Sequence, residues 1–420
     1  MTITTGEIVL LVAAGILLLE LLREHVILGR GLRYRTPADE HRDYPSLSVI
    51  RPIKGLDADM EANLQAALDH GYPGRIETLF VFDDEDEPAV PLVERAIAAQ
   101  RRRDPDAESR IVYSGPPPPD CTGKLNAMIH GLRRAGGELI AFVDSDTRAG
   151  PDALRRLVDT LIDQPRAGTA FAPVVASEPP RTAGDAAYAL LLNGLYGPAA
   201  ADNVRRRGGD MPFIMGQFMV FRRETIDAIG GLESAAGQLV DDMYLGTRVA
   251  RSGRRNVVSP ERVPIIQRDL PLRSFWGLFL RWIAFSRTGP TMAFKVPIIL
   301  RVLAFLLSLA LLVVALVQQW WLAAACLAAV PLALVASVNA LHHRLGGGRL
   351  ARRHLPVVIG VLLAAPLVWF QIVLRRRVNW RGREYQLDGR SALETESEAA
   401  CGEDPLEEES SQPAISRSTD

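Results

Sequence analysis

The sequence predicts an α/β protein with a mostly parallel sheet and a set of transmembrane helices. Between residues 45 and 270, short apolar β-type runs alternate with helical stretches, a pattern typical of a sheet covered by helices on both faces. Three apolar segments of about 20 residues follow, the length that crosses a hydrocarbon core. The 420-residue chain is therefore expected to combine a water-soluble domain with a membrane-embedded part.

Composition divides the chain into five regions. They are an N-terminal transmembrane anchor (1–30), the α/β domain (45–270), an amphipathic interface helix (271–292), three transmembrane helices (296–317, 320–341 and 355–374, within 296–374) and an acidic disordered tail (388–420). The anchor is expected to remain uncleaved because no small-residue cleavage site follows its apolar run. The tail carries ten acidic and two basic residues, whereas the rest of the chain is basic.

Arginines after the anchor predict the orientation of the protein. By the positive-inside rule, they place the α/β domain in the cytoplasm of a multi-pass membrane protein, expected in a bacterial inner membrane. Three later spans then put the arginines at 375–377 on the opposite face, unless one of the three is re-entrant. Buried core helices of a soluble protein are the alternative, which three neighbouring runs of this length disfavour.

Strands and helices of the α/β domain are predicted in strict alternation. The predicted strands are 48–53, 77–82, 110–113 and 138–143, and the helices between them are 59–70, 90–103 and 124–135. Ligands of such sheets gather at the carboxyl ends of the strands. Two acidic clusters stand at those ends, residues 83–87 after the second strand and 144–146 after the fourth.

Asp144 and Asp146 form a D-x-D motif after the fourth strand. Two carboxylates one residue apart can share Mg²⁺ or Mn²⁺, which then bridges to substrate phosphates. The alternative is a pair of loop acids that cap the next helix. Other phosphate chemistries fit the spacing less well: Arg148 stands where a dehalogenase-type phosphatase has threonine, and Leu125 follows Lys124 where a P-loop has Ser or Thr. Lys124 remains a candidate for nucleotide-sugar binding.

Two further acidic sites have both a functional and a structural interpretation. In residues 83–88, Asp84, Asp86 or Glu87 could receive the uracil or ribose of a nucleotide, or the loop could cap a helix. Asp242, in a pair with Asp241 before a predicted helix, could act as a general base or as a helix N-cap.

Residues 272–287 combine tryptophan and phenylalanine with arginine, as expected for a helix in the headgroup region. Arg281 and Trp282 are its candidate functional residues, because an arginine there could anchor lipid headgroups or neutralise a departing diphosphate. No basic stripe interleaved with stacking aromatics is found elsewhere, which argues against nucleic-acid binding. The three cysteines match neither a metal-ligand spacing nor a disulfide framework.

In their order and spacing, the motifs resemble those of the ceramide glucosyltransferases and related bacterial enzymes, including hopanoid-modifying glycosyltransferases, within the inverting transferases of GT-A fold. The motifs that carry the resemblance are residues 52–57, 72–73, 84–90, 144–146, 215–217, 230–232, 241–242, 281–282 and 380–383. The [Q/R]-x-x-R-W motif that closes the family pattern is incomplete, since Leu278 stands at its first position.

The resemblance implies a function and a role for each motif. It implies a UDP-sugar donor contacted by the first acidic motif, Mg²⁺ or Mn²⁺ at Asp144 and Asp146, Asp242 as the base, and a membrane lipid as acceptor. Glucose and a ceramide-like lipid are the expected substrates, and a hopanoid or other lipid receiving a hexose or N-acetylglucosamine is the alternative. A processive polysaccharide synthase and a non-catalytic membrane scaffold are rival interpretations. The oligomeric state has no signal in the sequence.

Overall fold

The computed structural model describes residues 3–31, 43–207, 210–285, 292–374, 377–380 and 383–386. The acidic tail predicted for residues 388–420 lies outside the described residues, as does the end of the predicted interface helix. The helices are Thr5–Gly31 (α1), Met60–Leu68 (α2), Val90–Arg103 (α3), Gly123–Arg134 (α4), Ala153–Ile162 (α5), Ala183–Ala189 (α6), Gly197–Arg207 (α7), Arg223–Ala228 (α8), Asp241–Arg251 (α9), Leu272–Phe285 (α10), Met292–Val317 (α11), Trp321–Arg344 (α12) and Val357–Leu374 (α13).

The strands of the α/β domain form one large sheet and a small pair. They are Leu47–Pro52 (β1), Ile76–Phe82 (β2), Glu108–Tyr113 (β3), Leu139–Val143 (β4), Ala167–Phe171 (β5), Val174–Val175 (β6), Asp210–Met211 (β7), Phe218–Arg222 (β8), Arg255–Val258 (β9) and Val263–Pro264 (β10). The large sheet has the order β3-β2-β1-β4-β8-β5-β9-β7, and β6 pairs with β10. Arg377–Trp380 (β11) and Arg383–Gln386 (β12) pair as a separate antiparallel hairpin.

The predicted fold class is confirmed. The first four strands are parallel, and the four strands and three helices predicted between residues 48 and 143 agree with observed ones to within two residues. Strand β8 is the main departure, because it runs antiparallel between β4 and β5. Its direction brings the beginning of β8 beside the end of β4, where the D-x-D motif stands.

Strand β2 shows why the sheet is covered on both faces. Its side chains from Glu77 to Phe82 are all buried, as expected for a central parallel strand. Leu79 and Val81 belong to a cluster with α4, whereas Phe80 and Phe82 belong to one with α2 and α3. Alternate side chains of one strand therefore fix helices on opposite faces.

Four helices of the described chain are long and apolar enough to cross a membrane, which confirms the expected single N-terminal and three carboxy-terminal helices. Helix α1 packs against α7, α11 and α12. The end of α12 and the loop that follows it contact the α/β domain: Arg262 donates to the carbonyl of Arg344 at 3.2 Å, and Arg353 in the loop donates to that of Arg181 at 3.2 Å. This loop and the α/β domain therefore lie on the same side of the helix bundle.

A π-helical segment, Leu190–Tyr196, connects α6 to α7. Its Asn193 side chain bonds the backbone N–H and carbonyl of Ala176 at 3.0 and 2.9 Å, and it lies 3.2 Å from Nδ1 of His342 in α12. On another side, Arg301 of α11 donates to the carbonyl of Gly194 at 3.1 Å. The segment is thus held between the α/β domain and the membrane helices.

Candidate functional site

The D-x-D loop is held by backbone contacts on both sides. The backbone N–H of Asp144 donates to the carbonyl of Gln217 at 2.9 Å, and that of Ile266 donates to the carbonyl of Asp146 at 2.8 Å. The hydroxyl of Ser145, between the two acids, donates to Asp57. The loop therefore leaves the carboxylates of Asp144 and Asp146 partly exposed at the carboxyl edge of the sheet, as predicted.

Arg51, in strand β1, contacts the backbone of this loop. The sequence did not identify it as a candidate residue. It is only 3% exposed, and its Nη2 lies 3.0 Å from the carbonyl of Asp144 and 3.4 Å from that of Thr147. Burial lowers the pKa of Arg51 to about 10, against the effect of Asp144, Asp146 and Asp57, so the side chain stays charged at neutral pH. The sequence feature that could have identified Arg51 is its position as the one charged residue in the predicted strand 48–53.

Lys124 lies in the first turn of α4, where Thr122 caps the helix by accepting a hydrogen bond from the N–H of Leu125 at 3.1 Å. Lys124 thus lies at the carboxyl edge of the sheet, where its Nζ is 2.5 Å from Oδ1 of Asp144. Burial by itself lowers the pKa of Lys124, but the negative charges of Asp144, Asp241 and Asp242 outweigh it and raise that pKa. The structure thus joins Lys124 to the D-x-D motif.

Asp241 and Asp242 begin helix α9 and face the same cluster. The helix N-cap is Val240, so neither acid fills the N-cap position. Asp242 accepts hydrogen bonds from the N–H groups of Gly216 at 2.6 Å and Met243 at 2.7 Å. Burial, and then the neighbouring charge of Asp241, raise the pKa of Asp242 to about 7. Of the two acids, Asp241 is buried and Asp242 is partly exposed.

Residues 216–217, just before β8, connect these groups. Gly216 donates to Asp242 through its N–H and accepts from Lys124 through its carbonyl at 3.0 Å, while Gln217 accepts from Asp144. A Cβ on Gly216 would lie 2.7 Å from Oδ2 of Asp242, so the close approach requires glycine. The antiparallel β8 therefore brings the D-x-D motif, Lys124 and Asp242 into one cluster.

The first acidic loop divides into buried and exposed acids. Glu87 is 6% exposed, where it pairs with Lys54 and accepts from the N–H of Gly55 at 3.0 Å. Asp84 and Asp86 are exposed, and Asp84 accepts from the N–H of Asp86 at 3.0 Å. The structure thus ties Glu87 to the end of β1 and leaves Asp84 and Asp86 accessible beside it.

Arg281 and Trp282 lie in the last turns of α10. The Trp282 ring packs against Tyr188 and Tyr196, with centroids 5.6 and 5.4 Å apart. Burial raises the pKa of Tyr188, and the charges of Asp146 and Asp144 raise it further, whereas that of Arg281 lowers it. Tyr188 could not be singled out from the sequence, because a tyrosine in an alanine-rich stretch carries no recognisable pattern.

A divalent cation fits the donor set at Asp144 and Asp146. Within the described ranges no group of three or more His, Cys, Asp and Glu side chains could hold a metal by itself. Two carboxylates are nevertheless sufficient for Mg²⁺, which usually keeps water and substrate phosphates as its other ligands. The residues therefore fit a metal that binds together with a diphosphate.

Comparison with known proteins gives matches along most of the chain. Glycosyl transferase family 21 matches residues 7–392. Ceramide glucosyltransferase 3 of Caenorhabditis elegans is 23% identical over 266 residues, 62% of this chain and 55% of that protein. An N-acetylglucosaminyltransferase of Rhizobium meliloti is 24% identical over 254 residues, 58% of this chain and 56% of that protein. The matched part thus spans about half the length of these relatives.

A solved structure of the mannosyltransferase PcManGT from Pyrobaculum calidifontis, in complex with GDP-Man and Mn²⁺, is also similar. It is 21% identical with a TM-score of 0.45, covering 85% of this chain and 92% of that one. The mostly parallel sheet and the four long apolar helices agree with the α/β fold and the membrane helices predicted from the sequence. Because the family match extends over most of its residues, the chain belongs to glycosyl transferase family 21.

Proposed function

We propose that the protein transfers a sugar, with glucose the first candidate, from a UDP-sugar to a hydroxyl group of a membrane lipid. The observation that carries this proposal is the cluster of Lys124, Asp144 and Asp242 around residues 216–217. Lys124 and Asp144 of this cluster are suited to bind a diphosphate together with a metal ion, and the carboxylate of Asp242 is suited to accept a proton. Family membership and the transmembrane helices support a lipid acceptor.

Asp242 is the proposed general base. A base works best when its pKa lies near the operating pH, and burial together with Asp241 raises the pKa of Asp242 to about 7. Its ionised carboxylate accepts the proton of the lipid hydroxyl as that oxygen attacks the anomeric carbon, and the bond between this carbon and the diphosphate breaks to release UDP. Direct attack without a covalent intermediate inverts the configuration at this carbon.

The donor is proposed to bind between the two acidic motifs. Asp84, Asp86 or Glu87 receives the nucleoside, and Lys124 stands beside Asp144 to attract the diphosphate. Asp144 and Asp146 would hold Mg²⁺ or Mn²⁺, which when bound neutralises charge on the diphosphate. Arg281 supplies further positive charge on the α10 side.

The acceptor is proposed to enter from the bilayer beside α10, which packs against α6 and α13. Arg344 at the end of α12 and Arg349, Arg352 and Arg353 in the loop that follows it lie on the same side as the α/β domain. The positive-inside rule then favours a cytoplasmic location for both. A site on this side can use cytoplasmic nucleotide sugars and lipid headgroups of the inner leaflet.

The test is a glycolipid assay with detergent-purified full-length protein. UDP-glucose, UDP-galactose and UDP-N-acetylglucosamine are each incubated with a total lipid extract, with and without Mn²⁺, and the lipids are analysed by mass spectrometry. We expect a metal-dependent gain of one hexose or N-acetylhexosamine on one lipid class. A long soluble polymer as product would instead establish a polysaccharide synthase, and no turnover by folded protein would contradict the enzyme assignment.

A further inference from the structure

The loop between α12 and α13 is held in place at its glycines. Nε2 of His342 donates to the carbonyl of Gly348 at 2.8 Å, and the backbone N–H of Gly347 donates to the carbonyl of His342 at 2.9 Å. A Cβ on Gly348 would overlap the backbone of Glu178, so this part of the loop lies directly against the α/β domain. These contacts define the position of the loop backbone between the membrane helices and the α/β domain.

The loop buries its apolar side chains and exposes its charged ones. Leu345 and Leu350 are buried, and so is His354, which accepts from Nε of Arg353 at 3.2 Å. The arginine side chains of the loop are all exposed, and they are Arg349, Arg352 and Arg353. The buried residues thus fix a loop whose outer surface is basic.

Little negative charge compensates this basic surface. From residue 270 to residue 383 the chain contains no aspartate or glutamate. Within the ranges that the structure describes, neither Arg349 nor Arg352 forms an ion pair with an acid. Both guanidinium groups therefore remain available to an anionic partner.

The helices on either side place this basic surface at the boundary of the membrane. Helix α12 ends at Arg344 and α13 begins at Val357, and both helices are long and apolar enough to cross a bilayer. A short loop between two such helices lies at the level of the lipid headgroups. Clustered arginines at the ends of membrane helices are typical of surfaces that bind anionic headgroups.

We infer that the loop between α12 and α13 binds the headgroups of anionic phospholipids, with Arg349 and Arg352 as the residues that contact the lipid phosphate. Guanidinium groups match phosphate oxygens with paired hydrogen bonds, which favours arginine for this contact. A zwitterionic headgroup gains less, because its own positive group opposes the arginines. Since Gly348 lies against Glu178, lipids bound to this loop hold the α/β domain at the membrane surface.

The test compares two double variants of the full-length protein in detergent. Arg349→Gln/Arg352→Gln removes two charges from the loop. Arg102→Gln/Arg103→Gln is the matched control, since it removes two exposed charges from the end of α3, a helix that packs against α2 and β3. Each protein is mixed with equal amounts of phosphatidylglycerol and phosphatidylcholine, and the bound lipids are counted by native mass spectrometry.

Arg353 is left unchanged in this test, because it donates to the carbonyl of Arg181 and its loss would remove a contact that holds the loop. We expect the unaltered protein to bind phosphatidylglycerol in preference to phosphatidylcholine. The loop variant should lose about tenfold or more of that preference, since each arginine near an anionic headgroup contributes about fivefold. The control should keep the preference within about twofold.

Loss of the preference in the loop variant alone supports the inference. An unchanged preference in that variant, or no preference in the unaltered protein, overturns it. An equal fall in both variants overturns it as well, because the net charge of the protein then determines lipid binding. A second measurement needs no substitution: added salt screens exposed charges, so the preference of the unaltered protein should fall, and a preference that salt leaves unchanged contradicts the inference. None of these outcomes depends on sugar transfer, which the glycolipid assay tests separately.

Discussion

The ammonium group of Lys124 lies 2.5 Å from Oδ1 of Asp144, and its charge also acts on Asp242 across the cluster. One partly exposed cation thus links the proposed donor site to the proposed base. Because the positive charge of Lys124 lowers the pKa of Asp242, its removal must change the protonation of the base as well as the binding of the donor.

Replacement Lys124→Met should therefore have two effects. UDP binding with Mn²⁺ should weaken at least tenfold, since a positive charge beside Asp144, at the proposed diphosphate site, is lost. The acidic limb of the pH–rate profile should also move to higher pH, because Asp242 then ionises less readily. Lys54→Met is the matched control: Lys54 pairs with Asp83 and Glu87, so its loss should leave the position of the acidic limb unchanged. An unshifted limb in Lys124→Met would contradict the coupling.

Asp242→Asn should reduce sugar transfer by about 10² to 10⁴-fold, the usual contribution of a general base. Nucleotide binding should remain, since the amide oxygen can still accept a hydrogen bond from the N–H of Gly216. Transfer is measured by mass spectrometry and UDP binding by calorimetry on the same preparation. Undiminished transfer by this variant would remove Asp242 as the base.

The unaltered protein should show a rate that rises with pH through about 7. Below the pKa of about 7, Asp242 is protonated and cannot accept the proton of the lipid hydroxyl; above it, the carboxylate is ionised and competent. The measurement is kcat/KM for the lipid acceptor between pH 5 and about 9. A rate that falls through this range on raising the pH would exclude an ionised Asp242 as the required form.

The sequence was sufficient to predict those parts of the fold that rest on local pattern. The first four strands, the helices between them and the apolar spans follow from periodicity and length. Asp144 and Asp146 could be proposed as metal ligands from the sequence because a pair of carboxylates follows a predicted strand end. The pairing of β8 between β4 and β5 could not be predicted, since it depends on contacts between residues about 80 positions apart. That pairing is what unites Lys124, Asp144 and Asp242.

Arg51 and the π-helical segment show the same limit. An arginine in a buried strand is unfavourable until the carbonyls of Asp144 and Thr147 surround it, and those contacts form only in the folded sheet. The π-helical turns of Leu190–Tyr196 are likewise held by tertiary partners, Ala176 and Arg301. Neither the buried Arg51 nor the π-helical segment can therefore be predicted from the local secondary-structure preferences of the residues.

Gly216→Ala should lower transfer about a hundredfold, as expected when a catalytic group is displaced by an ångström or less. A Cβ at this position would meet Oδ2 of Asp242 at 2.7 Å and its Cβ at 2.8 Å, so the beginning of α9 must move. Gly150→Ala is the control: its added Cβ meets nothing within 4 Å, and activity should stay unchanged. Equal activities in the two variants would show that the close approach of Gly216 to Asp242 is dispensable.

Arg301 and Glu24 form an ion pair between α11 and α1, at 3.2 Å, with the arginine side chain only 2% exposed. Because Arg301 also donates to the carbonyl of Gly194, this pair connects two membrane helices to the π-helical segment beside Trp282. Removing one partner of a buried pair leaves an uncompensated charge and costs about 3 to 5 kcal/mol. Glu24→Gln should therefore lower the thermal stability of the detergent-purified protein markedly.

A double variant separates the buried charge from other effects of the substitution. Glu24→Gln combined with Arg301→Met removes both charges, so it should recover much of the stability that Glu24→Gln loses, although the bond to Gly194 is also absent. Glu20→Gln is the matched control, since Glu20 pairs with Arg23 at 2.6 Å while both side chains are more than half exposed. Its loss should lower stability less than the loss of Glu24, because Arg23, unlike Arg301, is not left buried inside the protein. If the double variant is no more stable than Glu24→Gln, the uncompensated charge of Arg301 is not the cause of the loss.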